Sequence, residues 1–234
     1  MTVANMHTAV KLGLDKTSGL DIPAYESEEL DLWLNIAQDR FVKQRLFGNN
    51  YKQEGFEGSV KRVTDLHELV ITEILTDKWD VGIAGYPTAK RIDLTVDLTA
   101  TFMYYINSRS EVTRTLPTIT EGYVDNLMIQ HNEIPNFVTT GFNSPYFKNP
   151  VCWIEDDDLY VMYDSLTTGY GDADHDIQIT FIKEPVTMNT VGPVACELAD
   201  STHQEIVDIT VDLMIENIES ARTQTHTEKL KTQE

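Results

Sequence analysis

The chain has 234 residues, is 41% hydrophobic and 9% aromatic, and carries a formal net charge of −20, a composition that suits a folded protein and excludes disorder throughout. The charge is uneven: residues 1–119 hold 13 Lys/Arg against 17 Asp/Glu, and residues 120–234 hold 5 against 21. Gripping DNA by its phosphates needs clustered bases, which excludes tight DNA binding, although acidic walls would let a polyanion slide past.

In chain order, Val3 to Leu12 reads as a first helix, closed by Gly13 and the Ser18–Gly19 pair. Pro23 and the acids Glu26, Glu28, Glu29 and Asp31 announce a second, sitting where the positive end of a macrodipole favours them. Leu30, Trp33, Leu34, Ala37, Phe41 and Val42 recur at helical spacing along it; Arg40, Lys43 and Arg45 fall in its closing turns, and Gly48–Asn49–Asn50 stops it. A third helix is predicted from Phe56 to Leu75, with Val60, Val63, Leu66, Leu69, Val70 and Ile74 on one stripe. Beyond Lys90 the character changes to strands: Arg91–Val96, Phe102–Val112, Val124–Ile129, Cys152–Ile154, Leu159–Asp164 and Ile177–Ile182, with a turn-rich excursion from Gly141 to Asn149. A last helix starts after Leu198. Asp200 or Ser201 is its expected cap, Gln204 or Glu205 completes a capping box, and Ile206, Ile209, Leu213, Met214 and Ile218 form its stripe.

The expected class is therefore α+β. Three N-terminal helices and one long C-terminal helix make a helical bundle over residues 1–80 and 197–222, a β-rich insertion occupies 85–190, and a polar tail covers 223–234. Leu30, Trp33 and Phe41 on the second helix and Ile206 and Leu213 on the last are the expected shared core.

Little in the chain points to chemistry. Asp172, Asp174 and Asp176 have the opening spacing of a calcium loop, but Ile177 stands where a turning Gly is needed and Lys183 where a bidentate Glu is needed. They read as a solvated turn, with a metal-dependent hydrolase as the enzymatic alternative; Glu155 to Asp158 reads as an acidic hairpin tip. The six histidines form no zinc motif, and no GxSxG elbow or phosphate-binding loop occurs. Cys152 and Cys196 read as free thiols packed as small apolar groups. No catalytic residue, metal or cofactor is expected. No apolar run approaches the ~20 residues of a membrane span, and the N-terminus lacks a signal-peptide pattern, so a membrane partner is not expected.

Three segments carry a resemblance. Met6-His-Thr-Ala-Val-Lys-Leu-Gly-Leu-Asp-Lys is followed, after Pro23, by Glu28-Glu-Leu-Asp-Leu-Trp-Leu-Asn-Ile-Ala-Gln-Asp-Arg-Phe. The latter resembles the E-E-I-x-x-x-L-N-x-A-x-x-x-F segment of ring proteins from crAss-like and related short-tailed phages. Phe181-Ile-Lys-Glu-Pro is similar to their Y-[IL]-K-x-P strand end, and Leu198-Ala-Asp-Ser-Thr-His-Gln-Glu-Ile-Val-Asp-Ile-Thr-Val to their L-P-x-x-x-H-x-E-I-V-x-x-A-V helix opening. Ala199 replaces the proline and Thr210 the small apolar residue; across residues 80–175 the likeness is weak. The family is similar in plan to the tail tubular protein A adaptors of coliphage podoviruses.

The resemblance implies a non-enzymatic head–tail connector subunit in the neck of a virion, assembled in a bacterial host's cytoplasm. Its implied partners are further copies of itself in a ring of typically twelve, the portal protein, another ring or tail protein, and genomic DNA passing without tight binding. Another tail-tube or head-completion subunit is the alternative. Thr223 to Glu234 reads as a docking arm for the portal, disordered when free. In it Leu230 is the only sizeable apolar residue, flanked by Lys229 and Lys231 and led by Thr223.

Overall fold

The computed structural model describes residues 1–18, 25–47, 60–76, 80–83, 86–115, 118–139, 149–162 and 176–231. Side chains are described for all of these except 16–18, 80–83, 86–88, 112–115, 118–121, 138–139 and 218–231. The fold is mixed α+β, in two units: Met1–Leu69 with Pro185–Glu234, and the intervening Val70–Glu184. The β-rich stretch thus starts at Val70 rather than at 85, and ends at Glu184 rather than 190.

The first unit holds α1 (Val3–Ser18), α2 (Ser27–Leu46), α3 (Val60–Leu66) and α5 (His203–Lys231). Met6, Val10 and Leu14 on α1 and Leu30, Leu34, Ala37, Phe41 and Val42 on α2 are buried, and both helices pack against α5. The start of α2 is fixed by the Glu29 carboxylate, which accepts from the Glu26 N–H at 3.0 Å. Polar residues of α2 also grip the segment that follows the second unit. The Thr190 N–H donates to Asp31, Asn35 exchanges two hydrogen bonds with the Met188 backbone, and the Gln38 amide donates to the Val186 carbonyl. Positions 31, 35 and 38 lie on one face of α2, so the segment runs antiparallel to the helix, held on every second residue.

Gly13 does not close α1. The helix continues to Ser18, and a Cβ at Gly13 would stand 2.7 Å from a Val211 methyl on α5. The glycine is there because the two helices cross closely, not because the chain turns. Gly13→Ala is expected to destabilise the protein: the helix-propensity gain of about 1 kcal/mol is outweighed by overpacking of ~1–3 kcal/mol, since the β-branched Val211 cannot swing aside freely. In a Val211→Ala background the same change is expected to be neutral or stabilising. Thermal melts of the four proteins check this, and an equal effect in both backgrounds would refute the close crossing.

The predicted third helix, Phe56 to Leu75, is also corrected. Phe56 to Ser59 lie outside the described residues; α3 runs Val60–Leu66, a 3-10 turn follows to Leu69, and Val70–Leu75 is strand β1. Val70-Ile71-Thr72 is β-branched, and the whole of β1 pairs antiparallel with Ile177–Ile182, so sheet pairing overrides the helical stripe.

In the second unit β2 is Asp80–Ile83, β3 Tyr86–Asp93, β4 Phe102–Thr115, β5 Thr118–Asp125, β6 Leu127–Met128, β7 Val151–Glu155, β8 Asp158–Met162 and β9 Ile177–Lys183. One sheet has the order β1-β9-β4-β5, and the other β2-β3-β8-β7-β6, with β6–β7 its parallel pair. Leu75, Ile177, Ile179 and Phe181 from the first sheet and Ile92, Cys152, Leu159 and Val161 from the second form one core, so the sheets pack face to face. Alternate residues Val151, Trp153 and Met162 point to the opposite face of the second sheet. There they meet Ile134 and Phe137 of a short helix α4 (Ile134–Thr139), and Trp153 stacks on Tyr160 at 5.3 Å.

Two strand ends differ from expectation for local reasons. The strand expected to reach Val96 stops at Asp93, whose carboxylate accepts from the Thr95 and Val96 N–H groups and so turns the chain. Val124–Ile129 is split at the buried Asn126, whose side chain bonds Ser108 and Ser110 on β4.

Candidate functional site

Of the expected packing set, Leu30, Phe41 and Ile206 are fully buried, whereas Trp33 and Leu213 are only half-buried. The buried face of α5 is Ile206, Val207, Thr210, Val211 and Met214, rotated from the predicted line through Ile209 and Leu213. Thr210 can lie in it because its hydroxyl donates to the Ile206 carbonyl at 2.8 Å. A polar residue satisfied within its own helix is invisible to an apolar-spacing argument.

The predicted cap of α5 is absent. A 3-10 turn, Asp200–Thr202, leads in; Asp200 accepts from the Met1 amino group, and His203, buried at the first position of α5, meets the Leu198 carbonyl through Nε2 at 2.9 Å. Gln204 donates to Asp208, and Glu205 turns instead to Arg45 of α2 and Lys61 of α3. The expected polar tail is helical as well: α5 runs unbroken through Thr223, Lys229 and Leu230 to Lys231. Lys, Glu, Gln and Ala are good helix formers, so continuation needs no apolar stripe. The side chains of these four residues lie outside the described set.

Two polar clusters organise the first unit. In one, Asp31 is buried and accepts from the Thr190 hydroxyl and N–H at 2.8 and 2.9 Å, with His7 Nε2 at 2.8 Å. In the other, the Arg45 guanidinium donates to Asp65 at 2.7 Å and to Glu205, and lies 4.6 Å over the Phe41 ring. Beside the second cluster, α2 and α3 enclose an open groove of about 790 Å³. Among the described residues its charged lining is Arg40, Lys43, Arg45 and Arg62 against Asp39. Among the described residues the exposed Arg40 has no partner, and Arg62 Nη1, shielded from solvent, has no hydrogen-bond acceptor. The sequence hinted at this concentration only as the basic closing turns of α2.

In the second unit, Glu155 to Asp158 forms the β7–β8 hairpin tip, with Asp156 at φ 55°. Burial pushes the Asp158 carboxyl above the ordinary carboxylate range, and Asp93, Asp156 and Asp157 add to the shift while Arg91 opposes it. The sign follows from linkage: the ionised form is disfavoured in the folded state, so this carboxyl's stabilising contribution is complete at acid pH and lost as pH rises through its folded pKa. Asp158→Asn is accordingly expected to melt no lower than the parent at pH 7, with the advantage shrinking towards pH 3. A pH series of thermal melts checks this; a clear loss at pH 7 would make the Arg91 contact dominant.

Cys152 is buried among Tyr105 and Ser108 hydroxyls, and burial pushes its thiol up, away from a nucleophilic thiolate. Cys196 is likewise buried, its thiol facing the Gln38 carbonyl oxygen. Asp172 and Asp174 lie outside the described residues; Asp176 precedes β9. Among the described residues no group of three His, Cys, Asp or Glu side chains converges on a metal position, and no helix is long and apolar enough to cross a membrane. No family model matches the chain, and no curated protein matches it.

Proposed function

We propose that this chain is a ring-forming head–tail connector subunit of a short-tailed phage, a virion structural protein that docks beneath the portal and lines part of the DNA channel. The observation that carries this reading is the order of three resembling segments, at Glu28–Phe41, Phe181–Pro185 and Leu198–Val211. Two features of the fold support it. The first and last segments fall on α2 and on the opening of α5, helices packed against each other, and the middle one ends β9, where the chain leaves the β-rich unit. On this reading α1, α2, α3 and α5 act as a helical bundle that builds the ring, the β-rich insertion reaches the next ring or tail protein, and the C-terminal part of α5, from Thr223 to Lys231, is the arm that meets the portal. The ring stoichiometry of about twelve and the virion neck location rest on the resemblance alone.

Epitope-tagging the chain in a phage that encodes it, and averaging images of antibody-labelled necks, tests the reading. Label in a ring directly below the portal is the expected result. Label along the tail would make the chain a tail-tube subunit, and unlabelled virions would remove the structural role. A separate expectation concerns DNA. The purified chain should fail to retard duplex DNA on a gel at moderate salt, because a net charge of −20 repels the phosphate backbone; micromolar, salt-sensitive retardation would contradict an acidic sliding wall.

A further inference from the structure

We infer that the basic groove between α2 and α3 receives the exposed acidic line of α5 from a second copy of this chain, an inference that rests on reading the chain as a self-assembling subunit. The groove is the observation to be explained: in a protein of net charge −20, four cations and one anion among the described residues line one concavity. Arg45 is committed to Asp65 and Glu205, and Lys43 to Asp39 at 3.3 Å. Arg40 is exposed and has no partner among the described residues. The same outer face of α2 exposes Leu32 (59%), Ile36 (42%) and Phe47 (63%) in line with Arg40 and Lys43. Apolar side chains at both ends of a charged centre describe a protein-binding face rather than a solvated one.

The occupant is chosen by charge and length. Asp208, Asp212 and Glu216 are all exposed and recur every four residues along one face of α5. Asp208 accepts only from Gln204, and Asp212 and Glu216 have no partner among the described residues. Eight helical residues separate the ends of this line, a length of roughly 12 Å, and eight separate Ile36 from Gln44 along the groove, again roughly 12 Å. A free phosphate would fill a corner of such a groove, and a nucleic acid would bring its backbone against an acidic chain. A carboxylate-bearing helix matches both the charge and the extent. Because every copy carries one groove and one line, the contact is head-to-tail, the kind that closes into rings.

The test uses two charge-reversed full-length chains, Arg40→Glu/Lys43→Glu and Asp212→Lys/Glu216→Lys, followed by sedimentation velocity alone and mixed. All four positions are exposed on helix surfaces, and circular-dichroism melts check that both variants fold. The parent is expected to self-associate, less so as salt rises. Each variant alone should associate at least about tenfold more weakly, since like charges then face each other. An equal mixture should recover the parent's association, because the reversed line of one variant meets the reversed groove of the other and the unaltered pair meets likewise. A parent that is monomeric at every concentration, a variant that associates as the parent does, or a mixture that stays apart overturns the inference. None of these outcomes bears on neck labelling, so the connector reading stands or falls separately.

Discussion

Asp31→Ala is expected to destabilise the protein by about 3–5 kcal/mol, a large part of the roughly 5–15 kcal/mol that holds a domain folded. Asp31 is 8% exposed, and its two carboxylate oxygens take the Thr190 hydroxyl, the Thr190 N–H and the His7 ring nitrogen. One side chain therefore ties α2 to α1 and to the segment returning from the β-rich unit. Hydrogen bonds to a charged acceptor contribute more than neutral ones, and removing the acceptor leaves the Thr190 N–H without its partner and the His7 imidazole with only the Thr190 hydroxyl at 3.3 Å, where little water reaches. Asp31→Asn keeps the shape and one acceptor, so it should cost about half as much. Urea denaturation followed by circular dichroism gives both values. The coupling is checked with Thr190→Ala: its cost should largely disappear once Asp31 is already Ala, because the two act on the same bonds. A loss below about 1 kcal/mol for Asp31→Ala would show that the cluster is ornamental to stability.

Asp31 also shows what was and was not legible in the sequence. Periodicity located α2 to within a residue or two, found Leu30, Leu34, Ala37 and Phe41 on its buried face, and placed a last helix after Leu198. The charge of Asp31, read with Glu28 and Glu29, suggested a macrodipole residue at the helix start. Apolar spacing cannot tell which carboxylate faces water and which faces a neighbour thirty or more residues away, as Thr190 is. The same blindness rotates the stripe inferred for α5 towards Leu213, because apolar spacing passes over the buried Thr210. It also turned Gly13 into a helix end, when the glycine's purpose is set by Val211 on another helix. β1 escapes the sequence for a related reason: Val70 and Ile74 fit a helical stripe, and only the partner strand β9, over a hundred residues on, decides between the two. In the candidate site, Arg40, Lys43 and Arg45 were visible as a basic helix end, but the groove needed α3 to bring Arg62 beside them.

Arg45→Ala is the second change with a large expected effect, about 3–5 kcal/mol, and its cause lies mostly in what it leaves behind. Arg45 is 20% exposed, and its partner Asp65 is 8% exposed at the side chain. Without the guanidinium, Asp65 keeps its charge in a site that solvates it poorly. Glu205 contributes less to the loss, being 44% exposed and still held by Lys61. The stacking of the guanidinium 4.6 Å above Phe41 adds roughly 0.5–1 kcal/mol. Arg45→Lys retains the positive charge but not the planar fork that reaches two carboxylates while lying on a ring, so it should cost an intermediate amount, about 1–2 kcal/mol. The diagnostic experiment adds Asp65→Asn. If the stranded carboxylate is the chief cost, that second substitution should recover about half of the Arg45→Ala loss while being destabilising on its own in the parent. Four urea curves decide the matter. Additive losses, with no recovery in the double variant, would locate the stabilisation in the packing of Arg45 on Phe41 rather than in the ion pair between α2 and α3.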